Sequence, residues 1–396
     1  MKTIYFDHAA ASPIEPLSLA TFNDVCQNNF ANPAATHTFG QHAEHLLQEC
    51  RQTVAKLLAV SAKEIVFTCS ATEANNLAIR GIALQAKRTG KGNHILISAV
   101  EHPAVEATAR DLEINFGFDV QRVPVDSYGC PNLEQFRNQL RSSTVLVSFI
   151  LANNEIGTIM SIAEYAAACR ERQIPFHTDA SQACAWMNTQ GIIPKLNIDL
   201  LTASGRKLGA PGGGFLYIRK AFEGKLAPII TGGGHENGMR SGTPHVAEVA
   251  AMAKAFQIRQ QQIVETSDGT ALTKFTNVTH LRDHIIDTVL RTVPNSFLTG
   301  SPNNRLPNHA SFAFENIEGN ALARRLDLRG FAVSPGAACK TGNPAPSAVL
   351  KALGYNDDIA LGGLRISLGF EATLEDVNLF LSELPGVIAH LRKNNS

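Results

Sequence analysis

Between residues 64 and 218 the chain alternates short β-branched and apolar runs with longer amphipathic stretches, and that alternation limits the fold more than any other feature. EIVFT (64–68) reads as a strand leading into a helix from about Thr72. HILIS (94–98) precedes a helix beginning near Pro103, and FDVQRV (118–123) and TVLVSFI (144–150) are strand-like. IAEYAAACRERQ (162–173) has helical character and is followed by the strand IPFHT (174–178); IDLLTAS (198–204) and GFLYIRK (214–220) complete the series. Strands separated by helices at this spacing form a mostly parallel sheet covered on both faces. The expected fold class is α/β: a large domain with a mostly parallel sheet sandwiched by helices, plus a smaller α+β domain. Helical character returns around 245–263, and a polar stretch, 260–273, marks the exit from the large domain. Beyond it, helices are expected at 280–292, 319–329 and 373–392, and a strand near 309–314. The expected division is a large domain over 15–260 and a small domain built from 1–14 and 261–396.

Ligands of open α/β sheets bind beyond the carboxyl ends of the strands, so the residues there are the ones to weigh. After EIVFT come Cys69, Ser70, Ala71, Thr72 and Glu73, small and hydroxyl residues at a helix start, where free N–H groups suit a phosphate. After IPFHT come Asp179 and Gln182. After IDLLTA come Ser204, Gly205, Arg206 and Lys207, with glycines at 209 and 212–214. Taken singly, Thr72 reads as an ordinary cap, Asp179 as a solvated turn residue and Lys207 as a surface lysine. Together they are the set that pyridoxal phosphate needs: a lysine amine for its aldehyde, an acid to keep the ring nitrogen protonated, and N–H groups, hydroxyls or an arginine for its phosphate. The nucleotide alternatives lack support, since neither GxxxxGK[ST] nor a GxGxxG following a strand is present.

Lys plus Arg equals Asp plus Glu at 35 each, which gives no electrostatic signature for nucleic acid or anionic membrane. No run approaches the roughly 18 apolar residues of a membrane span, and MKTIYFDHAAASP is neither a signal nor a transit peptide, so a cytoplasmic protein is expected. The seven cysteines are scattered without a CxxC, as for free thiols in a reducing compartment. Cys339 stands apart, in a stretch (334–347) whose glycines and prolines read as a loop, beside Lys340, which favours thiolate. The other six cysteines read as structural. His37, His42 and His45 read as a solvated helix face, and no metal site is expected.

Ten segments carry a resemblance that runs nearly end to end: DHAAASP (7–13), NPAATH (32–37), SATEANNLA (70–78), EHPAV (101–105), NNEIG (153–157), HTDASQ (177–182), SGRK (204–207), GGGHENGMRSGT (232–243), AVSPGAAC (332–339) and LRISLG (364–369). In these the chain resembles the cysteine desulfurases of the class V, fold-type I pyridoxal-phosphate-dependent aminotransferase family. The resemblance implies a homodimeric transferase that converts L-cysteine to L-alanine and passes the sulfur, as a persulfide on Cys339, to an acceptor protein, as in iron–sulfur cluster assembly. It implies that Lys207 is the Schiff-base lysine, that Asp179 pairs with the ring nitrogen, that Gln182 bonds the ring hydroxyl, and that His102 stacks on the ring and moves protons. Ala71, Thr72, Ser204 and Arg206 would hold the phosphate, with Thr243 of the other subunit. Asn154 would touch cofactor or substrate, and Asn32 and Arg365 would bind the substrate carboxylate.

Three departures from the family pattern bear on this expectation. Arg206 stands where histidine is usual, and as a permanent cation it remains a good phosphate ligand. Pro335 and Ala337 replace serines of the cysteine loop. The chain ends at LRKNNS, short of the tail with which housekeeping members bind their scaffold, which points to a dedicated sulfur pathway. A selenocysteine lyase or a class V aminotransferase is the alternative, and the aminotransferase would not need Cys339.

Overall fold

A strand buried on both faces needs apolar residues at every position, and the central strands have them. The computed structural model describes residues 3–264, 274–336 and 345–395. In chain order its first eight strands are β1 (Ile4–Tyr5), β2 (Ile65–Thr68), β3 (His94–Ser98), β4 (Asp119–Val123), β5 (Thr144–Ser148), β6 (Phe176–Asp179), β7 (Leu200–Ser204) and β8 (Gly214–Ile218). Strands β2 to β8 make one sheet in the order β2-β8-β7-β6-β5-β3-β4. Every residue of β3, β5, β7 and β8 is buried, whereas the edge strand β4 exposes Asp119, a charge that discourages further pairing. Along the strands alternate side chains face opposite layers. Val66, Ile95, Ile97, Leu146 and Leu216 pack with the helices Ala71–Arg88 and Pro103–Phe116. Phe67, Leu96, Val147, Phe176 and Phe215 join the other core, with the helices Thr38–Leu58 and Val246–Val264.

The sheet is parallel except for β8, which runs antiparallel to both β7 and β2. Residues 205–213 are too few for the dozen or so that a parallel crossover requires, so the chain must turn back at once. Because β2 lies beyond β8, its direction matches the other strands, and its carboxyl end returns to the same side as those of β3, β5, β6 and β7.

The second sheet has the order β12-β13-β10-β9, all antiparallel, from β9 (Ser296–Leu298), β10 (His309–Phe314), β12 (Ser334–Pro335) and β13 (Gly363–Ser367). It packs with the helices Lys274–Thr292 and Gly319–Asp327, which in turn contact the helix Leu374–Asn395. The short β11 (Phe331–Ala332) pairs in parallel with β1, and Asp7 bridges to Ser367, so the first residues of the chain run with this second unit. The polar composition from 260 onward belongs in part to the helix Val246–Val264, which continues past that point with Ile263 buried. The helix Pro16–Asn28 lies where no element was expected, and Thr38–Leu58 extends well beyond the helix face read at His37, His42 and His45. Among the described residues no helix is long and apolar enough to cross a membrane, and no cluster of three potential metal ligands occurs.

Candidate active site

Five strand ends converge on one cavity of about 380 Å³. Its wall includes Ala71 and Thr72 after β2, His102 after β3, Asn154 after β5, Asp179 and Gln182 at β6, and Ser204, Arg206 and Lys207 at β7. Arg365 enters from β13 and Ala9 and Ala10 from the N-terminal segment. A slightly larger hollow near Lys56 and Asn188 is walled by amides and aliphatic groups, with neither a carboxylate nor an imidazole among its lining groups.

The phosphate-type cradle is built at the helix start Ala71–Arg88. Ser70, not Thr72, is its cap: Ser70 Oγ accepts from Glu73 N at 3.2 Å, while the first-turn N–H groups of Ala71 and Thr72 have no carbonyl within the helix to bond. Glycine is required opposite, because a Cβ on Gly214 would lie 2.5 Å from the Ser70 carbonyl carbon and 2.8 Å from Ala71 N. Glu73 closes the turn by accepting from Cys69 N at 2.9 Å and from Arg240 Nε at 2.8 Å.

Asp179 is buried, and both of its oxygens are held: Oδ2 by Asn75 Nδ2 at 2.7 Å and Oδ1 by Ser181 N at 2.9 Å. Below it, His177 bonds Ser148 Oγ at 2.8 Å and Thr202 Oγ1 at 3.1 Å across three strands, and burial pushes its imidazole down to about 4, so the base of the carboxylate is an uncharged layer. Gln182 donates from Nε2 to Ala9 O at 2.8 Å, leaving its Oε1 and the neighbouring Ser181 Oγ buried without partners.

His102 caps the helix Pro103–Phe116 by accepting from Ala104 N at its Nδ1, at 3.1 Å. A neutral ring that accepts there carries its proton on Nε2. Burial lowers its pKa from the ordinary histidine value, opposed by Asp179 and reinforced by Lys207. The turn before it is fixed by Glu101, whose Oε1 accepts from Ser98 Oγ at 2.6 Å and Ile150 N at 2.7 Å, and whose carboxyl burial pushes up to about 8.

Lys207 follows β7, and its Nζ donates to Ala10 O. Burial first, then the Arg365 guanidinium, push its ammonium down to about 8. Arg365 is itself fastened: Nη2 bonds Asp7 Oδ1 at 2.7 Å, Nη1 bonds Asn154 O at 2.9 Å, and its buried Nε has no partner.

A profile of the family described as Aminotransferase class-V matches residues 4–380. The chain belongs to the class-V aminotransferase family. It is 38% identical over 392 residues to a cysteine desulfurase IscS of Methanosarcina thermophila, over 99% of this chain and 93% of that one. A solved NifS-like protein is similar at a TM-score of 0.87 and 30% identity, covering 98% of this chain and 100% of that one. SspA, solved in complex with cysteine, has a TM-score of 0.78 and 33% identity over 92% of this chain and 99% of that one.

Of the residues expected from sequence, ten share one cavity wall and three stand apart. Ala71, Thr72, His102, Asn154, Asp179, Gln182, Ser204, Arg206, Lys207 and Arg365 share the cavity wall. Asn32 is exposed, with its Oδ1 on Ala34 N at 2.9 Å, and is absent from that wall. Thr243 is exposed and borders a separate, smaller hollow with Cys69 and Arg240. Cys339 lies outside the described residues. Of the other cysteines, Cys50, Cys169 and Cys184 are buried; burial pushes the Cys50 thiol up to about 12 and the half-buried Cys130 up to about 11, and none of the six lines the cavity. Sequence reasoning missed Asp7, Asn75, Ser181 and Glu101 as supports. Glu101, one position before His102, and Ser181, between Asp179 and Gln182, had a signal in that closeness; Asp7 and Asn75 had none.

Proposed function

We propose that this class-V aminotransferase-family chain is a pyridoxal-phosphate-dependent cysteine desulfurase, converting L-cysteine to L-alanine and passing the sulfur as a persulfide on Cys339 to an acceptor protein. The observation that carries the reading is the meeting of Lys207, Asp179, the free helix-start N–H groups and Arg365 in one cavity. The cofactor suits these residues: Gln182 Oε1 and Ser181 Oγ are buried polar atoms lacking partners, and Ala71, Thr72, Ser204 and Arg206 form a donor set for a phosphate. When bound, the cofactor supplies an aldehyde for amines and a protonated ring that draws electrons from the substrate's Cα.

Each side chain then has a defined task. Asp179 keeps the proton on the ring nitrogen, and Asn75 and Ser181 hold the carboxylate for it. The Lys207 amine, freed when substrate binds, takes the Cα proton at Nζ; a lysine held near 8 does this far more readily than an ordinary one. His102 offers the Nε2 proton over the cavity. Arg365, with Asn154, receives the substrate carboxylate. The Cys339 thiolate forms an S–S bond with the substrate sulfur as the C–S bond breaks. The electron pair of that bond stays with the carbon skeleton, which takes up a proton and leaves as alanine. Thr243 belongs, on this reading, to the phosphate site of a second copy in a homodimer.

The test is to give L-cysteine to the purified holoprotein and measure alanine and protein-bound persulfide. Both are expected, and Cys339→Ser should abolish the persulfide while keeping the bound cofactor. Absence of alanine with cofactor bound overturns the reading. Alanine from selenocysteine alone would indicate the lyase, and amino transfer indifferent to Cys339→Ser would indicate the aminotransferase.

A further inference from the structure

We infer that His309 is a positioning residue for the substrate's carboxylate: its buried ring holds the Asn154 carbonyl, the oxygen that also holds Arg365, and so fixes the two cavity groups that receive that carboxylate. The inference rests on the desulfurase reading for the substrate, but not for the bond itself.

His309 opens β10 and is fully buried. In the antiparallel register it lies opposite Ser367, and Ser311 lies opposite Arg365. Opposed residues share a sheet face, as do residues two apart along a strand, so His309 and Arg365 rise from one face of the second sheet. Both reach the turn after β5: His309 Nε2 is 3.2 Å from Asn154 O, and Arg365 Nη1 is 2.9 Å from the same atom. A carbonyl oxygen only accepts and has two lone pairs, so the His309 proton sits on Nε2 and the oxygen is filled. The other ring nitrogen faces Gly157, where a Cβ would come within 2.6 Å of Nδ1, and it has no partner. Gly157 has a φ of +76°, so glycine there serves both the turn and the ring. Asn153 closes the turn from its own side, its Oδ1 accepting from Glu155 N at 2.8 Å and Ile156 N at 3.0 Å. Those bonds fix the peptides that follow Asn154; His309 and Arg365 fix its carbonyl.

The charges around the ring explain why the donor is an imidazole. Burial first, then the Arg365 and Arg305 guanidinium groups, hold its pKa well below the ordinary histidine value, opposed by the bond to Asn154 and reinforced by Arg282. A neutral ring fastens the carbonyl without placing a further cation beside Arg365. Removing it leaves a buried oxygen with one bond instead of two and frees the Asn154 peptide to tilt. A tilt shifts Arg365 Nη1 and the Asn154 side chain together, and both residues line the cavity. Lys207 and the phosphate-type cradle are held by other bonds, to Ala10 O and within the turn at Ser70, so the cofactor's end of the cavity does not hang on His309.

The experiment titrates the cofactor absorption of the holoenzyme with L-cysteine and with cysteamine, which keeps the amine and thiol but lacks the carboxylate. In His309→Leu the half-saturating L-cysteine concentration should rise by about ten-fold, while that of cysteamine stays unchanged and alanine release at saturation stays within about two-fold of the parent. His309→Gln, whose amide nitrogen can take the place of Nε2, should recover most of the loss; His309→Asn, whose amide falls short, should not. On an Arg365→Ala background His309→Leu should cost less than in the parent, because the ring acts through the shared carbonyl. Equal shifts for both amines, an unchanged L-cysteine titration in His309→Leu, or full additivity with Arg365→Ala overturns the proposal. Should His309→Leu fail to fold, His309→Asn carries the same comparison against His309→Gln. A parent that responds to L-cysteine but releases no alanine sinks the desulfurase reading, while the titrations still decide His309. A parent that binds no pyridoxal phosphate overturns both.

Discussion

A lysine that must attack an aldehyde has to lose its proton, and at neutral pH an exposed lysine rarely does. Lys207 is brought to about 8 from 10.5 by burial and by Arg365. A lowered pKa means that the neutral amine appears at lower pH, so uptake of pyridoxal phosphate by the apoprotein should rise with pH through about 8 and level off above it. Stopped-flow absorbance across pH 6–10 checks this; a midpoint near that of free lysine would remove the role of burial. Replacing Arg365 by Gln takes away a neighbouring cation and should move the midpoint upward. His102 was legible from sequence as either a helix-start residue or a proton carrier; its Nδ1 makes the cap and its ring lines the cavity, and the proposed function adds the proton to be moved at Nε2. The two are separable, since asparagine is also a good cap. His102→Asn should hold thermal stability while lowering turnover by about 10²–10⁴-fold. His102→Ala should lose turnover and also about 0.5–2 kcal/mol of stability. Calorimetry beside alanine release distinguishes them.

At the level of elements, the strands were readable because full burial leaves a continuous apolar run, as in HILIS and TVLVS. The direction of β8 was not read, although the brevity of 205–213 contains it. The helix Pro16–Asn28 escaped notice for a physical reason: its buried residues are Ser18 and Val25, too few to make an apolar stripe. The helix Thr38–Leu58 does have a stripe, but Gly40, Ala43, Cys50 and Arg51 fill much of it, so the pattern is one of small and polar residues. The phosphate-type cradle was read at the turn after β2 with Thr72 as the cap, whereas Ser70 caps that helix. Ser70→Ala should therefore lower stability by about 1 kcal/mol and weaken cofactor retention, measured by denaturant titration and by equilibrium dialysis. Gly214→Ala drives a methyl group into the Ser70–Ala71 peptide and should cost about 1–3 kcal/mol with the same loss of cofactor.

Across the whole molecule, single side chains join distant segments. Arg51 and Glu236 form a buried two-bond pair at 2.7 and 2.8 Å, and Glu236 also accepts from Phe67 N at 2.8 Å, joining the helix Thr38–Leu58, β2 and the turn before Thr243. Removing one partner, as in Glu236→Ala, should lower stability by about 3–5 kcal/mol, whereas a well-packed apolar pair at both positions should recover most of it, as read from denaturation midpoints. No sequence pattern announces such a pair, because its members are far apart and each looks like a surface charge. The same holds for Asp7 and Arg365, whose ion pair spans 358 positions, and for Ala9, Ala10 and Ser12, which bond Gln182, Lys207 and Arg206. That arrangement has a consequence during synthesis. At about 5–20 residues per second, roughly 20–70 s separate the emergence of Asp7 from that of Arg365. In the later part of that interval the ribosome-bound chain holds every strand of the large sheet but lacks Arg365, the group to which the proposed function gives the substrate's carboxylate. The proposed site is therefore incomplete until the polypeptide is nearly finished.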